Sequence, residues 1–529
     1  MTIEARTVDR LLDRADVLAA AWSARARAST TPGCERALLR LSGVSDLDRA
    51  GRPLAWSVVD RYLAGHPERL PGGILSAFAV ASLEYELGPQ ELALDVAAGA
   101  IDLGLEAELL GDRQRREDAE AEARRWAAAA TERIDANRVA RRELIDVLGD
   151  APLPWIGAAI DEPEAEDAAD EAAALVGAGI DVVRVDVPVG RELADRLTAV
   201  GVESEPWRPR TEPAVRGRRS ELVPAGSQRG LAALRGTLDE AAAGRESYVR
   251  LATTTPRLAA PEGAAVAAFE RVDMVEADPM AEILGGVDPD RALADHAFAH
   301  RLLARAGTVV ALGPGPLVVA PDLARGVAPG PAALAGRALA LELVAVAFAR
   351  HNGLPPSQVV VGAMPDWLLD GEAGAARAIA DIALRRRLFP DHLLWLDETA
   401  RAGSSPDAWL LLATAALPIS APAAGLGAAL LVTHGQGERR GRATAFRDAA
   451  GVARAVAASR ADRRLIGPAE NLVAAALEAA RELLDGIADE GWRAVLGEGP
   501  TSGGPRGLGA GAIAERSDSA DAFPAAVLR

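Results

Sequence analysis

The groups that could do chemistry fall in a few short stretches. Thr253-Thr254-Thr255 follows directly on the apolar run Tyr248-Val-Arg-Leu-Ala252, which puts three hydroxyls at the exit of a strand, where they could contact a bound cofactor or simply end the strand. They are the candidate cofactor-binding residues. Glu270, Asp273, Glu276 and Asp278 surround the next apolar stretch; one of them could act as a base, although carboxylates are common on any surface. His296 and His300 stand four apart in a helical pattern and so share one face, as metal ligands often do. Spacing alone does not meet a metal's ligand count, and no metal is expected. Gly313-Pro-Gly-Pro316 could offer backbone amides to a phosphate, but its prolines remove two donors and favour a rigid turn. No catalytic residue is singled out.

What the chain lacks is equally informative. None of its 529 residues is lysine, so all 58 basic residues are arginine. It cannot hold pyridoxal phosphate as its own Schiff base, use a lysine nucleophile or build a lysine-containing phosphate loop. Any such step requires a second polypeptide. A composition rich in Ala, Gly and Arg also follows from a GC-rich genome, and the exclusion holds whichever cause is right. The histidines His66, His296, His300, His351, His392 and His434 all lie outside any Asp-x-His-x-x-Gly arrangement, by which some proteins offer an imidazole to the cobalt of cobalamin. If a corrinoid is used, another chain binds it.

The elements that must position these residues change character along the chain. Residues 1–150 read as a helical region, ending in a charged, alanine-rich surface helix over Asp112–Arg142. Apolar strands are then expected at Ala151–Ile160, Ile180–Val187, Tyr248–Ala252, Val272–Val275, Thr308–Leu312, Gln358–Val361 and Leu393–Leu396, with helical stretches between most of them. This alternation predicts an α/β fold with a parallel sheet, a (β/α)8 TIM-like barrel over 151–465 rather than a doubly wound sheet. Residues 203–229, rich in Pro, Arg and Ser, read as a long loop after the second strand. Residues 466–529 hold a last helix, Asn471–Ile487, and a glycine-rich tail.

Bulk properties bound the partners. A net charge of −18 argues against nucleic acid, which needs clustered positive charge; Arg216–Arg219 and Arg439–Arg442 read as solvated loops. The single cysteine, Cys34, can form no internal disulfide and fits a cytoplasmic protein. No signal peptide is evident at the N-terminus, and the apolar run Ala338–Ala349, interrupted by Glu342, is too short for a membrane span.

The order of segments resembles a known family. Glu35-Arg-Ala-Leu-Leu-Arg-Leu-Ser-Gly43, Gly51-Arg-Pro-Leu54, Val58-Val-Asp60, Gly88-Pro-Gln-Glu91, Ala98-Gly-Ala-Ile-Asp-Leu103, Tyr248-Val-Arg-Leu251, Glu270-Arg-Val-Asp273, Gly353-Leu-Pro355 and Gly503-Gly-Pro-Arg-Gly-Leu508 are similar, in collinear order, to the α subunit of D-lysine 5,6-aminomutase. The resemblance implies a barrel subunit that cups pyridoxal phosphate, and a small β subunit that supplies adenosylcobalamin and the Schiff-base lysine. The pair moves a terminal amino group of lysine or a related diamino acid by a radical route. The family's ligand positions do not carry over. Its phosphate arginine and a nearby serine fall at Val187 and Glu192, and a further serine at Pro256. Its ring-stacking tyrosine falls at Ala281, a following arginine at Gly285 or Gly286, an acidic residue and an asparagine within Gly313–Pro316, and a substrate-binding lysine at Trp395. The alternative expectation is therefore a non-catalytic barrel without cofactors, acting as scaffold or regulatory partner of a cobalamin-binding subunit.

Overall fold

Eight short runs of small and β-branched residues close into a barrel. In the computed structural model, which describes residues 5–45, 47–48, 53–153, 155–160, 165–185, 227–255, 258–313, 330–363, 381, 384–397, 429–433, 470–496, 513–517 and 522–528, the strands are β1 (Trp155–Ile160), β2 (Val182–Val185), β3 (Arg250–Thr254), β4 (Met274–Glu276), β5 (Val309–Leu312), β6 (Val359–Ala363), β7 (Leu393–Asp397) and β8 (Ala429–Thr433). Each pairs in parallel with the next, and β8 returns to β1. The expected barrel is present. Its eighth strand was not among the expected ones, because Ala429-Leu-Leu-Val-Thr433 is too short and too uniformly apolar to separate from a buried helix by period.

Strand alternation sorts the side chains into two cores. Outward residues such as Ile156, Val183, Leu251, Val275, Val310 and Val361 join one large cluster that runs from Val8 to Leu528. Inward residues Trp155, Val182, Ala252, Met274, Ala311, Val360 and Trp395 form a separate cluster inside the barrel. The same alternation places Arg184, Thr254, Glu276 and Gly362 on the inward face, two residues nearer the strand exits on β2, β3, β4 and β6.

The N-terminal helices share the outer core instead of standing apart from it. Helix Ala5–Arg27 lies against Pro289–Ala306 and Pro331–His351, and Pro32–Leu41 lies against Ala260–Phe269. The Thr31 hydroxyl caps Pro32–Leu41 by accepting from Cys34 N at 3.1 Å, while Pro32 supplies a preset φ at the first turn. Helix Arg113–Leu148 begins at the cap Asp112. It is not only a surface helix: Ala119, Trp126, Ile134 and Arg141 are buried, and its Arg141 reaches the barrel.

Helix Pro331–His351 corrects the reading of the apolar run. Over Ala332–His351 it is long and apolar enough to cross a membrane by length and composition, yet most of it is buried inside the protein, packed on Ala5–Arg27 and Glu470–Glu490. A Cβ at Gly336 would stand 2.5 Å from Ala479 Cβ and 2.8 Å from Ala476 O, so this close helix crossing needs glycine. The interrupting Glu342 accepts from Arg385 Nε and Nη2, both at 2.9 Å. The final helix spans Glu470–Glu490. Beyond the glycine-rich stretch, of which 497–512 lie outside the described residues, the chain end is tied down. Ser29–Thr30 pairs antiparallel with Ala514–Glu515, and Arg516 Nη2 donates to Thr30 Oγ1 at 2.9 Å. The expected loop 203–229 lies outside the described residues except for its last three; Ser227 caps helix Gln228–Arg245 by accepting from Gly230 N.

Candidate functional site

A parallel barrel presents its chemistry where the strands exit, and here an ion pair stands inside that mouth. Arg184 Nη2 lies 3.2 Å from Glu276 Oε2; the arginine side chain is 5% exposed and the glutamate 35%. The Arg184 guanidinium also sits 5.1 Å from the centroid of the Trp395 ring, within cation–π range. Trp395 is buried at 7% exposure, and its Nε1 has no hydrogen-bond acceptor among the described residues. Thr254 holds the inward position on β3, between β2 and β4, in register with Glu276. On the opposite wall Gly362 brings no side chain: a Cβ there would meet Leu312 O at 3.1 Å, so β5 and β6 approach as closely as they do because glycine is present.

The three threonines are not equivalent. Thr253 faces outward and its hydroxyl donates to Val185 O at 3.1 Å, while Thr255 donates to Glu276 O at 2.9 Å. Both hydroxyls hold the exits of neighbouring strands. Thr254 is the one that alternation turns toward the barrel interior. Gly313 is the one described residue of Gly313-Pro-Gly-Pro316; its amide donates to Asp278 Oδ2 at 2.7 Å, which removes it from the set of amides that could cradle a phosphate.

The four carboxylates around β4 separate completely. Glu270 accepts from Arg133 Nη2 at 2.8 Å and Gln228 Nε2 at 2.7 Å, before the strand begins. Asp273 is fully enclosed at the opposite end of the barrel from the mouth. It accepts from Arg141 Nε, Arg235 Nη1 and Leu251 N, each at 2.8 Å, and from Tyr248 Oη at 2.7 Å. Burial by itself would raise its pKa, but the two guanidiniums outweigh burial and hold it below the ordinary carboxylate value. Asp278, just beyond the strand exit, accepts from Met280 N at 2.8 Å and from Gly313 N; burial pushes its pKa up to about 6. Glu276 alone of the four reaches into the barrel mouth.

His296 and His300 share a helix, Pro289–Ala306, as expected. Both are fully buried and stack edge to face with ring centroids 5.6 Å apart. His300 Nε2 donates to Ala277 O at 2.8 Å; burial, with His296 alongside, lowers its pKa to about 3, so the ring is neutral. His296 Nε2 lies 3.5 Å from Glu282 Oε1. No group of three or more His, Cys, Asp or Glu side chains able to hold a metal occurs among the described residues. Cys34 is buried, which pushes its thiol up to about 12, far from a reactive thiolate.

The sequence reading missed Arg184, whose signal was present in Ile180-Asp-Val-Val-Arg-Val185. A parallel strand covered on both faces reads as a continuous apolar run, so a charged residue inside one must face the lumen. Of the positions at which the resemblance places family ligands, Val187, Glu192 and Pro256 lie outside the described residues. Ala281 lies on helix Pro279–Leu284 and offers only a methyl group, and Trp395 occupies the barrel interior.

A family model described as the D-lysine 5,6-aminomutase TIM-barrel domain of alpha subunit matches residues 1–401. The chain belongs to this family. It is 27% identical over 365 residues to the lysine 5,6-aminomutase alpha subunit of Fusobacterium nucleatum, covering 69% of this chain and 65% of that protein. With the lysine 5,6-aminomutase alpha subunit of Acetoanaerobium sticklandii it shares 26% identity over 363 residues, 68% of this chain and 64% of that one. The chain thus spans just under two thirds of the length of these aminomutase relatives. Among solved structures, dihydropteroate synthase from Yersinia pestis is 13% identical, with a TM-score of 0.34 over 58% of this chain and 95% of that one. A likeness so slight adds nothing to the barrel read from strand pairing.

Proposed function

We propose that the chain is the large, barrel-forming subunit of an aminomutase-like complex in the cytoplasm, acting on a diamino acid together with a small subunit that binds cobalamin. The carrying observation is the Arg184–Glu276 pair, a charged couple inside the barrel mouth on a family barrel that contains no lysine. A Schiff base must then be formed by another chain, and the barrel's part is to bind, orient and exclude water. As a heteromer, the complex would move an amino group to the adjacent carbon of its substrate.

The described residues fit pyridoxal phosphate only in part. Within Thr253–Thr255, proposed above as cofactor-binding, Thr254 is the side chain that alternation turns inward, while Thr253 and Thr255 are bonded to strand carbonyls. Ala281 gives no ring surface. A second reading, a non-catalytic scaffold, is favoured by Trp395, which fills the barrel at the position where the resemblance places a substrate-binding lysine.

Co-expression with a cobalamin-binding subunit decides between them. In the aminomutase reading the complex retains pyridoxal phosphate and adenosylcobalamin through gel filtration, seen by absorbance, and turns over lysine or ornithine. A stable complex that retains neither cofactor supports the scaffold and overturns the enzyme.

A further inference from the structure

We propose that Arg291, Asp295, His296 and Glu282 form a buried, pH-sensitive clasp that seats the N-terminal helix Pro32–Leu41 on the barrel helix Pro289–Ala306. The clasp is closed while His296 carries its second ring proton and loosens when that proton leaves. It concerns how the helical region and the barrel stay together, and does not depend on the substrate reading above.

The seat is one carboxylate oxygen. Asp295 Oδ1 accepts from the Thr31 hydroxyl, lies 3.8 Å from Cys34 Sγ and would stand 3.0 Å from a Cβ at Gly33, so the first turn of Pro32–Leu41 is fitted around it. Behind that oxygen the groups are joined by charge rather than by hydrogen bonds. Arg291 Nε is 3.6 Å from Asp295 Oδ2, and His296 Nε2 is 3.5 Å from Glu282 Oε1. Arg291 Nε and Nη1, Asp295 Oδ2, Glu282 Oε2 and both His296 ring nitrogens are buried without a hydrogen-bond partner. Attraction between ions in so enclosed a place is strong, and it disappears with the charge.

The signs approach balance only when His296 is an imidazolium. Glu282, Asp278 and Asp295 all act on it, and against these carboxylates stands Arg291. His300, with its ring centroid 5.6 Å away, is neutral and cannot take over. Charged groups on the packed elements are already matched: Glu342 on Pro331–His351 with Arg385, Glu262 on Ala260–Phe269 with Arg40, Arg25 on Ala5–Arg27 with Asp290, and Glu35 on Pro32–Leu41 with Arg516 at 3.7 Å. Glu276, which also acts on Asp278, pairs with Arg184. Burial lowers the His296 pKa, but the carboxylates, Glu282 first, outweigh burial and hold the ring above its ordinary 6.5. Burial pushes Asp295 up to about 6. Both folded values are raised, so both contributions are complete below the unfolded values. They are lost as pH rises, that of Asp295 through about 6 and that of His296 through a value above 6.5.

Cys34, the single cysteine of the chain, is buried in the first turn of Pro32–Leu41 and reports the clasp. The full-length chain is reacted with a maleimide between pH 5.5 and 8.5, and each rate is divided by that of the urea-unfolded chain at the same pH, which removes the titration of the thiol itself. In the wild type this ratio should rise about tenfold or more across the range. His296→Gln, which has no proton to lose, should be loosened already at pH 6 and stay flat to pH 8.5. Glu282→Gln removes one of the unbalanced charges and should rise by less than about threefold. Circular dichroism at pH 6 confirms that each variant is folded. General repulsion in a chain of net charge −18 would move the variants as much as the wild type. A flat ratio in the wild type, or an equal rise in wild type and His296→Gln, therefore overturns the clasp. Should His296→Gln fail to fold, Glu282→Gln decides alone: a rise as steep as that of the wild type overturns the proposal, and a shallower one supports it.

Discussion

The two ends of the barrel use the same side chains in opposite ways. At the strand entries, Asp273 is enclosed by four donors, and Arg141 extends further to Val272 O, Ala306 O and Gly307 O at 2.8, 2.9 and 3.0 Å. Beside it Asp181 accepts from Ile156 N at 2.9 Å and from Arg245. At the strand exits, Arg184 and Glu276 pair at 3.2 Å, the arginine buried and the glutamate about one-third exposed. Near them Asp278 is strained toward its neutral form by burial. A satisfied network fixes helix Arg113–Leu148 and strands β2 to β5 in place. A partly exposed pair at the strand exits is where a parallel barrel places its chemistry.

The sharpest way to break this contrast is to empty the base. Asp273→Ala leaves two buried guanidiniums, a tyrosine hydroxyl and a backbone amide without their acceptor, and should cost about 3–5 kcal/mol, measured by urea unfolding. Arg141→Lys keeps the charge but cannot reach four acceptors on different segments, and should cost about 2–3 kcal/mol. Little loss in either would mean that the base is not what fixes the barrel.

The pH dependence separates the ends by sign. The folded pKa of Asp273 is depressed, so its contribution is present above the unfolded value and is lost as pH falls through the folded one. Asp278 is raised from 3.8 to about 6, so its contribution is present below about 3.8 and is lost as pH rises through about 6. Melting temperature measured across pH 4–6 should therefore rise more steeply in Asp278→Asn than in the wild type. An unchanged slope would show that Asp278 does not carry this opposing effect.

At the mouth the expected cost to stability is least. Arg184→Gln and Glu276→Gln should each change unfolding free energy by no more than about 1 kcal/mol, since the pair is part-solvated and the buried arginine is itself desolvated. Ligand recognition should suffer instead.

Much of this organisation is legible in the chain and some is not. Runs such as Val182-Val183 and Val309-Val310 announce buried strands, and their number and alternation with helices announce a barrel. The eighth strand, Ala429–Thr433, is too short and uniform to announce itself. Glu270, Asp273, Glu276 and Asp278 look interchangeable in sequence because nothing local tells which end of a strand, or which face, each will occupy. A single residue, Ala277, separates Asp278 from Glu276, yet Asp278 caps a helix and Glu276 enters the barrel. The threonines divide for the same reason, by parity along β3. Arg184 could have been found by asking why a strand otherwise apolar carries a charge at an inward position.

Thermal unfolding of the wild type, Arg141→Lys and Arg184→Gln, each with and without saturating lysine, tests the division of labour most directly. Arg141→Lys should melt well below the wild type yet keep its ligand-induced rise in melting temperature, whereas Arg184→Gln should melt close to the wild type and show no rise. An Arg184→Gln protein that melts as early as Arg141→Lys, or that lysine still stabilises, would contradict the assignment of folding to the base and recognition to the mouth.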